Sequence, residues 1–138
     1  MSARILLDTS VIVHLGRLKE PPPDEAEPAV STITLAELHA GVATAADDRE
    51  RALRMERLDQ VLAEIDVLPF DGLAARAYGD VVASLRRSGR RERARVMDVL
   101  IASTAIANGL ALYTVNARDF VGIEGLDVHP LEHPDPDV

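Results

Sequence analysis

The stretch Arg4-Ile5-Leu6-Leu7-Asp8-Thr9-Ser10-Val11-Ile12 decides how the rest of the chain is read. Its apolar run ends in one acid followed by two hydroxyls. Ile5 to Leu7 is too short and too apolar for a helix of its own and predicts a buried parallel strand, after which Thr9 and Ser10 offer N-cap chemistry to a following helix. Asp8 is then expected at the C-terminal end of a strand. In open α/β sheets that edge is where ligands bind, because strand ends and helix N-termini meet there around a polar crevice.

Working outward, the chain alternates between the two periods. Val11, Ile12, Leu15 and Leu18 predict an amphipathic helix over about Ser10 to Lys19, stopped by Pro21-Pro22-Pro23, and the acidic, proline-rich piece Glu20 to Pro28 reads as an exposed loop. A second strand is expected over Ala29 to Ile33. Thr34-Leu35-Ala36-Glu37 has the form of a capping box and predicts a helix running to about Ala45. Met55, Leu58, Leu62 and Ile65 mark the apolar face of a helix over Arg49 to Ile65, and Val67 to Phe70 a third strand. Asp71 can cap a helix whose core stripe is Ala74, Ala77, Tyr78, Val81 and Leu85. After the arginine-rich segment Arg86 to Arg95, Val96 to Ala107 is the most apolar helical stretch, with Asp98 its only ionisable side chain and Asn108-Gly109 its stop. A fourth strand over Leu110 to Thr114, a polar turn from Val115 to Phe120 and a last strand around Leu126 to His129 complete the pattern, and residues 130–138 are expected to fray.

Five strands alternating with helices imply a single α/β domain over residues 1–138, with a central, mostly parallel sheet flanked by helices. Right-handed crossovers would bring the strand C-termini to one edge. Asp8 and the turn holding Asp119 follow strands, while Glu37 and Asp98 fall in first helical turns, so all four acids can reach one crevice. Each also has a structural reading: Asp8 as a helix cap, Glu37 as the capping-box partner of Thr34, Asp98 as a complement to the helix dipole and Asp119 as a turn residue bonding its own backbone.

The chemical case rests on the four together. Clustered carboxylates repel, and at least one keeps a proton at neutral pH unless a cation intervenes. Magnesium (Mg2+), or manganese, is a hard cation that prefers oxygen donors, and magnesium keeps several waters while taking one or two direct carboxylates. Asp8 and Asp98 are the expected direct ligands, and Glu37 and Asp119 the acids that hold surrounding waters, one of which would be the nucleophile. Ser10, Thr114 and Asn116 can supply hydrogen bonds that hold the acids in place. Such a site hydrolyses a phosphodiester to a 5′-phosphate and a 3′-hydroxyl without using the RNA 2′-hydroxyl.

Bulk properties limit the alternatives. The 138 residues, 47% of them apolar, suit one globular core. No apolar run reaches the roughly 18 residues of a membrane span and the N-terminus lacks a signal-peptide succession, so a soluble, cytoplasmic protein is expected. Zero cysteines exclude disulfides and thiolate metal sites. A formal charge of −8 argues against indiscriminate nucleic-acid binding but is compatible with an acidic nuclease site served by local positive charge. Arg86 to Arg95, with six arginines, is either that local charge or a solvated helix end and loop. The four histidines fit poorly as an acid–base pair, His14 and His39 falling on helices and His129 and His133 in the terminal segment, and they read as structural or surface residues. With Phe70, Phe120, Tyr78 and Tyr113 the only aromatic platforms, base preference is not readable.

Leu7-Asp8-Thr9-Ser10, Ala36-Glu37, Asp98-Val99-Leu100-Ile101-Ala102 and Thr114-Val115-Asn116-Ala117-Arg118-Asp119-Phe120 together resemble PIN-domain ribonucleases and, more narrowly, the VapC toxins of bacterial toxin–antitoxin pairs. The resemblance spans nearly the whole chain in order and spacing. It implies a magnesium- or manganese-dependent endoribonuclease that stops translation by cleaving tRNA, rRNA or mRNA, a homodimer or a heterotetramer and larger complexes with a VapB-like antitoxin, and no membrane partner. It maps Asp8, Glu37, Asp98 and Asp119 onto the family's acidic quartet, with Asn116 at the alternative position for the fourth acid. The rival readings are a PIN-like module that binds RNA or a partner without cleaving, and a magnesium-binding receiver domain. The receiver pattern needs paired acids after the first strand and a late lysine, whereas here hydroxyls follow Asp8 and the lone lysine is Lys19. No Walker-type glycine-rich loop is present.

Overall fold

Ile5, Leu6 and Leu7 are all buried, which a strand achieves only when both faces of its sheet are covered. In the computed structural model, which describes residues 3–135, this strand, β1 (Arg4–Leu7), is central in a five-stranded sheet with β2 (Glu27–Ser31), β3 (Asp66–Leu68), β4 (Ala111–Thr114) and β5 (Val128–Pro130). The order is β3-β2-β1-β4-β5, and every pairing is parallel. Alternation along the strands divides the core. Leu6, Ala29 and Leu112 pack with Val81, Leu85, Val99 and Ile101 of the helices α4 (Gly72–Arg87) and α5 (Val96–Ala107). Ile5, Leu7 and Val30 face the other way, onto α1 (Thr9–Val13), α2 (Thr32–Ala43) and α3 (Asp48–Glu64) through Val11, Ile12, Leu38, Leu58 and Val61.

The topology creates the crevice. β2 and β3 lie on one side of β1, β4 and β5 on the other, so the winding reverses between β1 and β4. Adjacent crossovers diverge at that point, and their strand ends open a cleft. The register sets Leu7 beside Tyr113, so Asp8 and Thr114 emerge next to each other at that opening.

Several expected boundaries are corrected. α1 stops at Val13 and the chain tightens into a 3-10 turn at Leu15–Arg17, because Gly16 and the β-branched run before it are poor helix formers. α2 begins at Thr32, since Ser31 is the cap: its side chain accepts from the Thr34 amide at 3.1 Å. Thr34-x-x-Glu37 is therefore no capping box, and Glu37 lies beyond the first turn of α2. On α3 only Leu58 and Val61 are buried, with Met55 and Leu62 turned outward. The third and fifth strands fall at Asp66–Leu68 and Val128–Pro130, slightly offset from expectation. The tail does not fray at Pro130. Leu131 is buried and its amide donates to Thr114 O at 2.8 Å, while Glu132 and Asp135 pair with Lys19 and Arg17; residues 136–138 lie outside the described residues.

Candidate active site

Asp8 stands at the N-terminus of α1 but does not cap it with its side chain. Its amide donates to Tyr113 O at 2.9 Å, extending the β1–β4 ladder by one bond, and its carboxylate turns across the cleft. There Oδ2 accepts from Ser10 Oγ at 2.7 Å and from Thr114 Oγ1 at 2.8 Å. The site is 4% exposed at Asp8 and closed at Thr114, so these two neutral hydroxyls do for the carboxylate what water would do outside. Val115 N donates to Ser10 Oγ at 3.3 Å and Asn116 N to Thr114 Oγ1 at 3.0 Å, which ties the turn after β4 into the same network. Of the three residues expected to hold the acids, Ser10 and Thr114 do so by side chain. Asn116 contributes its backbone amide instead.

Glu37 approaches from α2. Its Oε1 accepts from Thr9 Oγ1 at 2.6 Å, and Thr9 Oγ1 lies 3.0 Å from Thr34 Oγ1. Thr9 and Thr34 thus connect the β1–α1 corner to α2, a role sequence reasoning did not assign to either. The available signal was spacing: Thr34 and Glu37, three apart, share a helix face.

Asp98 lies in the first turn of α5, half-buried and without a hydrogen-bond partner among the described residues. Its carboxyl is pushed up to about 7, first by burial and then by repulsion from Asp8, Asp119 and Glu37, against a smaller opposing pull from Arg95. All three other acids thus act on Asp98 through their charge. Asp119 enters on a 3-10 turn, Ala117–Phe120, anchored by buried Phe120. Its backbone O accepts from Arg95 Nη1 at 2.6 Å, while its side chain carries no hydrogen bond among the described residues.

The histidines take no part. His129 pairs with Asp127 and stacks on Tyr113, and His14 meets His133 edge-on with ring centroids 4.8 Å apart. Among the described residues no three His, Asp or Glu side chains close into a ready-made metal cage. A cation held by two direct carboxylates and several waters does not require one. The donor set fits a hard divalent ion, being all carboxylate oxygen with one acid held against its ordinary ionisation. No helix among the described residues is long and apolar enough to cross a membrane.

Comparison with known proteins agrees with this architecture. The PIN domain family model matches residues 5–125. Ribonuclease VapC1 of Rickettsia felis is 30% identical over 95% of this chain and 98% of its own length. Ribonuclease VapC5 of Mycobacterium tuberculosis is 36% identical over 87% of each chain. The solved structure of VapBC-5 from Mycobacterium tuberculosis, a member of the VapBC family of toxin–antitoxin systems, is similar with a TM-score of 0.73 at 33% identity, covering 93% of this chain and 98% of that one. With Asp8 and the helix bearing Asp98 both inside the matched span, the chain belongs to the PIN domain family, among the VapC ribonucleases.

Proposed function

We propose that this chain, acting as a single PIN domain, is a magnesium- or manganese-dependent endoribonuclease and the toxin of a toxin–antitoxin pair, with Asp8, Glu37, Asp98 and Asp119 as its working acids. The observation that carries the reading is Asp98: a half-buried acid with no hydrogen-bond partner among the described residues, repelled by three more acids and held up near 7. Asp8 and Asp98 would hold the ion. When bound, a divalent cation offsets the acids' repulsion, polarises the phosphoryl oxygen and makes water a better nucleophile. Glu37 and Asp119 orient the attacking water and take its proton, and Ser10 and Thr114 keep Asp8 Oδ2 aimed while its other oxygen stays free of hydrogen bonds among the described residues. Water attacks phosphorus in line, the P–O3′ bond breaks, and the leaving O3′ gains a proton, giving 5′-phosphate and 3′-hydroxyl ends.

Positive charge at the cleft supports an RNA substrate. Arg86 and Arg87 are occupied by Glu92 and Glu124, but Arg91 and Arg93 form no ion pair among the described residues and lie just ahead of Arg95, which bonds the turn carrying Asp119. The VapBC-5 likeness favours a VapB-like antitoxin as partner, with a homodimer or larger toxin–antitoxin assembly as the unit. The test is end analysis of a model RNA incubated with the chain. Cleavage in Mg2+ or Mn2+ to 5′-phosphate and 3′-hydroxyl ends, absent in EDTA and in Asp98→Asn, is expected. Cyclic 2′,3′-phosphate ends in EDTA would overturn the mechanism, and RNA bound but uncleaved in Mg2+ would favour a binding module.

A further inference from the structure

We propose that Arg95 is a positioning residue of this site: its guanidinium pins the turn carrying Asp119 against the start of α5, and so sets where the Asp119 carboxylate lies relative to Asp98. Arg95 immediately precedes α5, three residues before Asp98, at the end of a 3-10 turn over Glu92–Arg95, and that helix end has no side-chain cap. Its Nη1 donates to Asp119 O at 2.6 Å and reaches Arg118 O at 3.4 Å. The Asp119 side chain has no hydrogen bond among the described residues to steer it, so its carboxylate is placed by its backbone, and that backbone is held by buried Phe120, by its own amide donating to Asn116 O and by Arg95. In the same segment Arg86 and Arg87 are spent on carboxylates away from the quartet. Arg95 instead joins the start of α5, which bears Asp98, to the turn that bears Asp119. A planar guanidinium suits two adjacent carbonyls, where an ammonium is a flexible point charge. Its positive charge beside Asp98 also tempers the repulsion there.

The catalytic side of this inference rests on the nuclease reading; the bracing itself does not. The experiment compares wild type, Arg95→Met, Arg95→Lys, Asp119→Asn and the Arg95→Met/Asp119→Asn double variant. Amide hydrogen exchange over residues 117–121 is read in metal-free, RNA-free protein, and kcat, KM and the Mn2+ concentration for half-maximal cleavage are read with a model RNA. Arg95→Met is expected to speed exchange in that turn several-fold, to lower kcat by about 10–100-fold and to raise the Mn2+ requirement. KM should stay within about twofold, with Lys recovering part of the loss, because substrate binding is untouched in this account. In the Asp119→Asn background the same change should do little more, since the acid it positions is already gone. Unchanged exchange overturns the proposal. So does an equal fold-loss in both backgrounds, or a loss confined to KM, either of which makes Arg95 an independent contact to RNA. If the wild type cleaves no RNA, the nuclease reading fails, and the exchange measurement still decides the brace.

Discussion

Asp8 and Asp98 face the same crevice, yet one is wired into the protein and the other is not. Asp8 Oδ2 receives two hydroxyl hydrogen bonds from Ser10 and Thr114, residues on two different elements, whereas Asp98 has no partner among the described residues and three acids around it. The strand end is prepared in advance, as a site that must aim an oxygen requires. The helix end stores an unmet charge. That division shows where a cation would be felt: Asp8 already has hydroxyl partners, whereas Asp98, held near 7, would be only about half ionised at neutral pH without one.

Breaking the comparison at either carboxylate gives the largest effects. Asp98→Asn should abolish metal-dependent cleavage, a loss on the order of a thousandfold or more, as removal of a direct metal-holding group implies. The same change should stabilise the metal-free protein above pH 7. The folded-state value of Asp98 lies above its unfolded one, so between about pH 4 and 7 the folded state binds more protons, and stability contributed by this group falls as pH rises through that window. Thermal unfolding in EDTA should show wild type losing ground from pH 4 to 7 relative to Asp98→Asn, with Mg2+ restoring it. Equal curves would mean that Asp98 is not under strain.

Smaller effects sharpen the contrast. Thr114→Val keeps the shape of the β4 end but removes one of the two hydroxyls from Asp8 Oδ2, and activity should fall by about 10–100-fold with stability down by roughly 1–3 kcal/mol for the lost bond to the buried carboxylate. Thr9→Val acts on Glu37 in the same way, at a less buried place, and its loss should be the milder of the two. Arg91→Ala combined with Arg93→Ala should change least: binding to RNA, measured with Asp98→Asn, should weaken while the slope of log affinity against log salt shrinks by about 1–2. A slope equal to that of the parent would remove these arginines from the RNA path.

The parts of the molecule legible in the sequence are those whose cause is local. Ile5 to Leu7 ending at Asp8 announced a buried strand with an acid at its tip, and α5 runs from Val96 to Ala107 as expected because Asn108-Gly109 is a strong stop, Gly109 having φ near +65°. The start of α2 was misread for the opposite reason. Thr34-x-x-Glu37 carries the letters of a capping box, but Ser31 caps the helix, and Thr34 and Glu37 are instead tied to Thr9 across the crevice. That the four acids can reach one edge was an argument from topology alone, since parallel strands with right-handed crossovers put their ends there. The Arg95 bond to Asp119 O had no signature at all, because a backbone carbonyl brought close by tertiary folding is invisible in a string of side chains.

The most direct test of the central claim is a pH titration of the Asp98 carboxyl carbon by NMR, with and without Mg2+. The account predicts a midpoint near 7 in the metal-free protein and a clear fall when Mg2+ is added. A midpoint near 4 that Mg2+ leaves unmoved would contradict it.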